Sequence, residues 1–201
     1  MTSPPVDVMT LRVIVVLGCM LVSSEALPQQ PWYADADVSS RLSAREIIVR
    51  SDEAHGRVSA AVLIAAPSEA IWRVMTDCAQ ALTFVSGLKV CRRLESAPDG
   101  TWDIIEHEVK YSWILPRTRY VFRADYLRPH RIHFERVSGD LKEQEGQWIL
   151  EPQPDAGTVV VYEIHLDPGF FVPQRVVRRA LRKDVPALLT ALRARVERAP
   201  P

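Results

Sequence analysis

The stretch GDLKEQEGQWILEPQPDAGTVVVYEIHLDPGFFVP, Gly139 to Pro173, constrains the fold more than any other part of the chain. Two runs with strand character face each other across PQPDAG, where prolines cannot extend a ladder and Asp and Gly tolerate the backbone angles of a reversal. Beyond Pro173 the apolar period changes from two to near 3.6. Val176, Val177, Ala180, Leu181, Val185, Leu188, Leu189, Leu192 and Val196 then fall on one face of a helix long enough to lie across a whole sheet. A long antiparallel pair feeding directly into an amphipathic helix predicts a sheet with a lid.

The preceding residues supply the rest of that sheet. AREIIVR and RVSAAVLIAA read as strands joined by SDEAHG, and APSEAIWRVMTD starts a short helix with Pro67 in its first turn and Glu69 at its positive end. A second short helix covers roughly residues 79–85 and ends at Gly87. LKVCRRLES and TWDIIEHEVKYS form a hairpin around Ala97-Pro98-Asp99-Gly100, and RTRYVFRADYLRP pairs with HRIHFERVS by turning at Arg128-Pro129. Residues 27–43, LPQQPWYADADVSSRLS, are polar and irregular and read as a linker or loosely docked arm. At 201 residues and 47% hydrophobic the chain suits one soluble domain over residues 44–199. Twenty-five basic residues balance twenty-five acidic ones, so no net field points to nucleic acid as a partner.

Residues 1–26 read as a signal peptide. Arg12 precedes the apolar run Val13 to Val22, which is too short to span a bilayer comfortably, and Ser24 and Ala26 offer small residues for cleavage. The expectation is an exported chain, periplasmic or secreted, with a mature start near Leu27. Met9 is an alternative initiator, and an uncleaved membrane anchor is the competing reading of the same run. Export would leave Cys78 and Cys91 as the remaining cysteines in a compartment where they can pair, against the alternative of two buried thiols. Two sulfurs without a neighbouring CxxC or HxxxH pattern do not make a zinc site, so neither metal nor cofactor is expected.

The order of strand, two short helices, a run of antiparallel strands and one long terminal helix resembles the SRPBCC superfamily of START-like or helix-grip proteins. The likeness is strongest to the polyketide cyclase/dehydrase and coenzyme Q-binding branch. It is carried by IAAPSEAIWRVMTD (Ile64 to Asp77), GDLKEQEGQWILEP (Gly139 to Pro152), GTVVVYEIHLDP and the terminal helix. The resemblance implies an α+β fold in which a curved antiparallel sheet grips the long helix, with an apolar tunnel between them. Lipid carriers, quinone-binding proteins and aromatase/cyclases share this architecture, so activity is not fixed by it.

Alternation along the strands agrees with that frame. Tyr120, Phe122, Ala124 and Tyr126 share one face, as do Ile132 and Phe134, Trp148 and Leu150, and Val160, Tyr162, Ile164 and Leu166. The opposite faces carry Arg123, Asp125, His133, Glu135, Glu143, Glu145, Glu163 and His165 and read as a solvated exterior. Ala124 and Gly146 are small among inward aromatics and leave room for a ligand, unless they only relieve crowding under the helix. The expected ligand-binding residues are Trp72, Met75, Phe84, Trp113, Tyr120, Phe122, Ala124, Trp148, Tyr162, Ile164, Val177 and Leu181.

His107 is the weak catalytic candidate. With Ile105 and Val109 inward it faces the tyrosines and can act as a general base; with Ile104 inward it lies outside. No paired carboxylates, Ser/His/Asp set or phosphate loop accompanies it. Phe170 and Phe171 in a turn beside Arg175, Arg178 and Arg179 suit contact with an anionic membrane surface. The leading reading is a non-enzymatic binder or carrier of a hydrophobic small molecule. The alternatives are a cyclase- or dehydratase-like enzyme and a protein-interaction module.

Overall fold

In this computed structural model, which describes residues 30–52, 57–110, 117–169 and 174–198, the strands join into a single curved antiparallel sheet. Its strands are β1 (Ile47–Asp52), β2 (Arg57–Ile64), β3 (Leu88–Ser96), β4 (Trp102–Val109), β5 (Thr118–Leu127), β6 (Arg131–Gly139), β7 (Glu143–Gln153) and β8 (Gly157–Asp167). Their spatial order is β1-β2-β8-β7-β6-β5-β4-β3. The helices are α1 (Ala36–Ser43), α2 (Ser68–Met75), α3 (Cys78–Phe84) and α4 (Gln174–Glu197). Because α2 and α3 separate β2 from β3, the chain leaves the sheet at β2, next to the β1 edge, and resumes at the opposite edge, and β8 closes back onto β2.

The turns form where the sequence places Gly and Pro. Gly157, which follows the PQPDA reversal, has a φ of +106°, and a Cβ there would stand 2.2 Å from the Ile64 carbonyl oxygen. Only glycine brings the β7–β8 turn this close to the end of β2. α2 begins after Pro67, and α3 is capped by the Asp77 carboxylate accepting from the Ala79 amide at 2.8 Å.

The concave face holds the main core. Ala60, Val62 and Ile64 of β2 and Val160 of β8 pack with Val185, Leu189, Leu192 and Val196 of α4. Polar clamps fix the end of this helix. Glu197 accepts from Arg45 at 2.7 and 2.8 Å and from the Ala65 amide at 3.0 Å. Arg193 donates to the Arg45 carbonyl at 2.9 Å, and Arg195 donates to the Gln80 side chain at 2.6 Å. α4 runs unbroken through Pro186.

The convex face corrects one sequence expectation. Within residues 27–43, read as an irregular arm, Ala36–Ser43 is a helix capped by Asp35, whose carboxylate accepts from the Asp37 amide at 3.1 Å. Val38 and Leu42 are buried against Ile48, Ala61, Leu63, Val159 and Val161, with Trp32 and Tyr33 alongside. Two apolar residues at i, i+4 spacing are enough to dock a short helix, but too few to raise the hydrophobicity of the segment. The exterior is therefore solvated only in part: β2 and β8 are covered on both faces, which explains their unbroken apolar runs AAVLI and VVVY. No helix among the described residues is long and apolar enough to cross a membrane.

Candidate functional site

The strands on the other side of the sheet, together with α3 and α4, line a cavity of about 140 Å3. On β4 the alternation places Ile105, His107 and Val109 inward, so the first of the two phasings holds. Glu106 points the other way and is covered by Arg92 and Arg119, which both bond its carboxylate. Their hydrogen bonds, Arg92 foremost, hold that carboxyl below its ordinary pKa. β5 contributes Tyr120, Phe122, Ala124 and Tyr126, β6 Ile132 and Phe134, β7 Gln144 and Trp148, and β8 Tyr162. Met75, Phe84, Val85 and Leu188 cover them from the helical side.

One wall is covalent. Cys78 at the start of α3 and Cys91 on β3 form a disulfide with Cα atoms 5.2 Å apart, and both residues line the cavity. Cys91 pairs across the ladder with His107, so the sulfur bridge and the imidazole belong to one end of the site.

The floor is a run of aromatic contacts. Trp148 stacks on Tyr162 with ring centroids 4.0 Å apart, Tyr162 on Phe134 at 6.0 Å, and the Phe134 ring meets Phe122 edge-on at 6.3 Å. Phe134 also explains Gly146. A Cβ there would lie 2.5 Å from the ring and 2.2 Å from the Glu163 carbonyl oxygen, so this glycine makes room for the protein's own ring and neighbouring strand and leaves no volume for a ligand. The cavity's volume of about 140 Å3 is roughly the size that accepts one benzene ring.

No Lys, Arg, Asp or Glu is among the described residues lining the cavity. His107 is its titratable base. Burial lowers its pKa from 6.5 to about 4, leaving the imidazole neutral at physiological pH. Its Nδ1 lies 3.3 Å from the Tyr120 hydroxyl, and its ring meets Phe122 edge-on at 4.9 Å. Tyr126 donates to Asp103 at 2.9 Å, and burial, then that bond, raises its pKa. Such a site can hold an apolar body and exchange a few hydrogen bonds with it. No group of His, Cys, Asp or Glu among the described residues is arranged to hold a metal ion.

Of the residues singled out from sequence, Met75, Phe84, Tyr120, Phe122, Ala124, Trp148, Tyr162 and His107 line the cavity. Trp72, Ile164 and Leu181 do not. Trp72 stands one layer behind, edge-on to Tyr126 with ring centroids 5.6 Å apart. Ile164 is paired with Gly146, where Phe134 fills the space, and Leu181 packs half-buried against the core. Trp113, Phe170 and Phe171 lie outside the described residues, as do the side chains of Val177, Arg175, Arg178 and Arg179. Sequence reasoning did not select Gln144, whose phase on β7 is that of Gly146 and Trp148. It also treated the cysteines as a staple and not as a wall of the site.

A family model described as polyketide cyclase / dehydrase and lipid transport matches residues 64–193. No curated protein sequence matches the chain significantly. Among solved structures, the chain is similar to a STAR-related lipid transfer protein from Xanthomonas axonopodis, with 18% identity, 76% of this chain and 93% of that chain covered, and a TM-score of 0.65. It is also similar to human STARD10, with 12% identity, coverages of 88% and 84%, and a TM-score of 0.64. The Streptomyces aromatase/cyclase Zhui shares 18% identity over 71% of this chain and 93% of that chain, with a TM-score of 0.60. At such identities these neighbours establish the helix-grip fold, and the family match, which takes in the two short helices, the cavity-lining strands and most of α4, establishes more: the chain belongs to the polyketide cyclase/dehydrase and lipid transport family.

Proposed function

We propose that this protein is an exported, non-enzymatic carrier that holds a hydrophobic small molecule in the cavity between sheet, α3 and α4. The observation that carries the reading is a cavity walled by aromatic and aliphatic side chains, with no Lys, Arg, Asp or Glu among its described lining residues. Removing apolar ligand surface from water at about 25 cal/mol per Å2 supplies the affinity, and no charged group has to be desolvated for the ligand to enter. The Cys78–Cys91 bridge supports an oxidising compartment and hence export, together with the leader-like run Val13 to Val22. The same reading includes docking to an anionic membrane through Phe170, Phe171, Arg175, Arg178 and Arg179, with the exposed Arg182 and Lys183 adding to that charge.

The second reading, a cyclase- or dehydratase-like enzyme, is favoured by one observation: a neutral imidazole inside the cavity, bonded to a tyrosine hydroxyl. A histidine of low pKa is unprotonated and available as a base at neutral pH, although a weak one.

Two substitutions separate the readings. Ala124→Arg drives a charged side chain into the cavity and is expected to abolish retention of the ligand that co-purifies with the wild-type protein, with circular dichroism and melting checking the fold. His107→Ala is expected to leave retention nearly unchanged. A turnover that falls by roughly two to four orders of magnitude in His107→Ala while binding persists replaces the carrier by the enzyme. An N-terminus at Met1 or Met9 on soluble cytosolic protein overturns the export.

A further inference from the structure

Resting on the cavity-binding reading above, we infer that the cavity selects an uncharged, ring-bearing ligand that carries a hydroxyl group, and that the Gln144 amide and the His107 imidazole are the groups that read it.

Gln144 lines the cavity, is 9% exposed, and its Oε1 is buried with no hydrogen-bond partner among the described residues. A buried acceptor left unpaired is costly, so a group that donates to it gains more than an ordinary hydrogen bond exchanged with water. Across the aromatic floor, the His107 Nδ1 bonds the Tyr120 hydroxyl. Neutral imidazole donates from one nitrogen and accepts at the other, so Nε2 has whichever role the Tyr120 bond does not take.

A hydroxyl both donates and accepts, so it satisfies the Gln144 amide in either orientation and the imidazole in either tautomer. An ether or ketone oxygen only accepts and leaves the Gln144 oxygen unpaired. A carboxylate or phosphate enters worse still. Burial keeps His107 uncharged, and no Lys or Arg lines the cavity among the described residues to offset the desolvation of an anion. The volume of about 140 Å3 limits the inserted part to one ring, and Phe122, Phe134, Trp148 and Tyr162 supply the faces against which it packs. An acidic lipid head group is thus kept outside, and the hydroxylated ring is the end that goes in.

The test is calorimetric titration of the full chain with four probes of one size: p-cresol, toluene, p-methylanisole and the anion p-toluate. The expected result is that p-cresol binds about tenfold more tightly than toluene or p-methylanisole, the equivalent of about 1.4 kcal/mol, and that p-toluate gives no signal. In Gln144→Met the preference for p-cresol is expected to vanish while toluene binding persists, and in His107→Phe it is expected to shrink. Equal affinity for p-cresol and p-methylanisole, tightest binding of p-toluate, or an unchanged preference in both variants overturns the inference. If the three uncharged probes bind equally, the hydroxyl selection alone fails; if none of them binds, the cavity-binding reading fails with it. Should Gln144→Met not fold, the wild-type ranking and His107→Phe decide the matter.

Discussion

The two sides of this one sheet obey the same alternation and end in opposite states. On the β1-β2-β8 side, α1 covers the convex face and α4 the concave one, so Ala60, Ala61, Val62, Val160 and Val161 have no exposed surface at all. On the β3-to-β7 side the convex face carries ion pairs such as Arg123–Asp125 and Arg92–Glu106, and the concave face borders a void. The difference lies in side-chain shape. Small and β-branched residues interdigitate with a helix, whereas large rings stack on one another and leave a gap between their layer and the helix above. The first side stabilises the fold and the second gives it something to hold.

That contrast can be broken by measurement, and the largest effect belongs to the sealed side. Leu192→Ala removes a fully buried α4 side chain and is expected to cost about 4 kcal/mol in chemical denaturation, within the roughly 2–5 kcal/mol range for such truncations. Ile105→Ala on the cavity side is expected to cost about half as much, because part of its surface already faces empty space. Equal losses would mean that the two sides are packed alike. Next comes the disulfide. Its 13-residue separation predicts a loss of about 3 kcal/mol when Cys78 and Cys91 are both replaced by Ser, read as a lower melting temperature together with weaker ligand retention.

A pH titration addresses the cavity side alone. The folded-state pKa of His107 is depressed from 6.5 to about 4 by burial. Above pH 6.5 neither state is protonated and stability is full. As pH falls below 6.5 the unfolded chain binds a proton that the folded chain refuses until about pH 4, so stability declines through this window by up to about 3 kcal/mol. The difference between wild type and His107→Phe isolates this slope from the carboxylates, and its absence would mean that the imidazole is hydrated. The smallest effect is expected on the convex surface, where Arg123→Ala, removing an exposed pair with Asp125 and a guanidinium over Trp102, should leave the melting temperature nearly unchanged.

Much of this was legible in the sequence because period-two alternation fixes a face once one neighbour is known. Tyr120, Phe122 and Ala124 were placed by that rule, and so was Trp148. What escaped did so for physical reasons. Val38 and Leu42 are two apolar residues among polar ones, and their docking depends on β2 and β8 being apolar on both faces, a non-local fact. Gln144 carried the right phase but is not apolar, and a polar residue at an inward position gives no signal of its own. Trp72 and Ile164 show the converse: an inward apolar residue is core or cavity according to how the neighbouring rings fill space, and Phe134 over Gly146 settles that in three dimensions. The phase of His107 was open because both Ile104 and Ile105 are apolar, and the Arg92–Glu106–Arg119 cluster decides it by drawing Glu106 outward.

The Trp148–Tyr162 stack has an optical consequence. An indole 4.0 Å from a phenol ring, on the floor of the cavity, has emission and near-ultraviolet dichroism set by whatever lies above it. Trp32 sits on the convex face and Trp102 lies under the Arg123 guanidinium, so neither belongs to the cavity lining. Among the tryptophans of the described residues, Trp148 is the one that lines the cavity, so filling or emptying the site can be followed through its signal without attaching a dye.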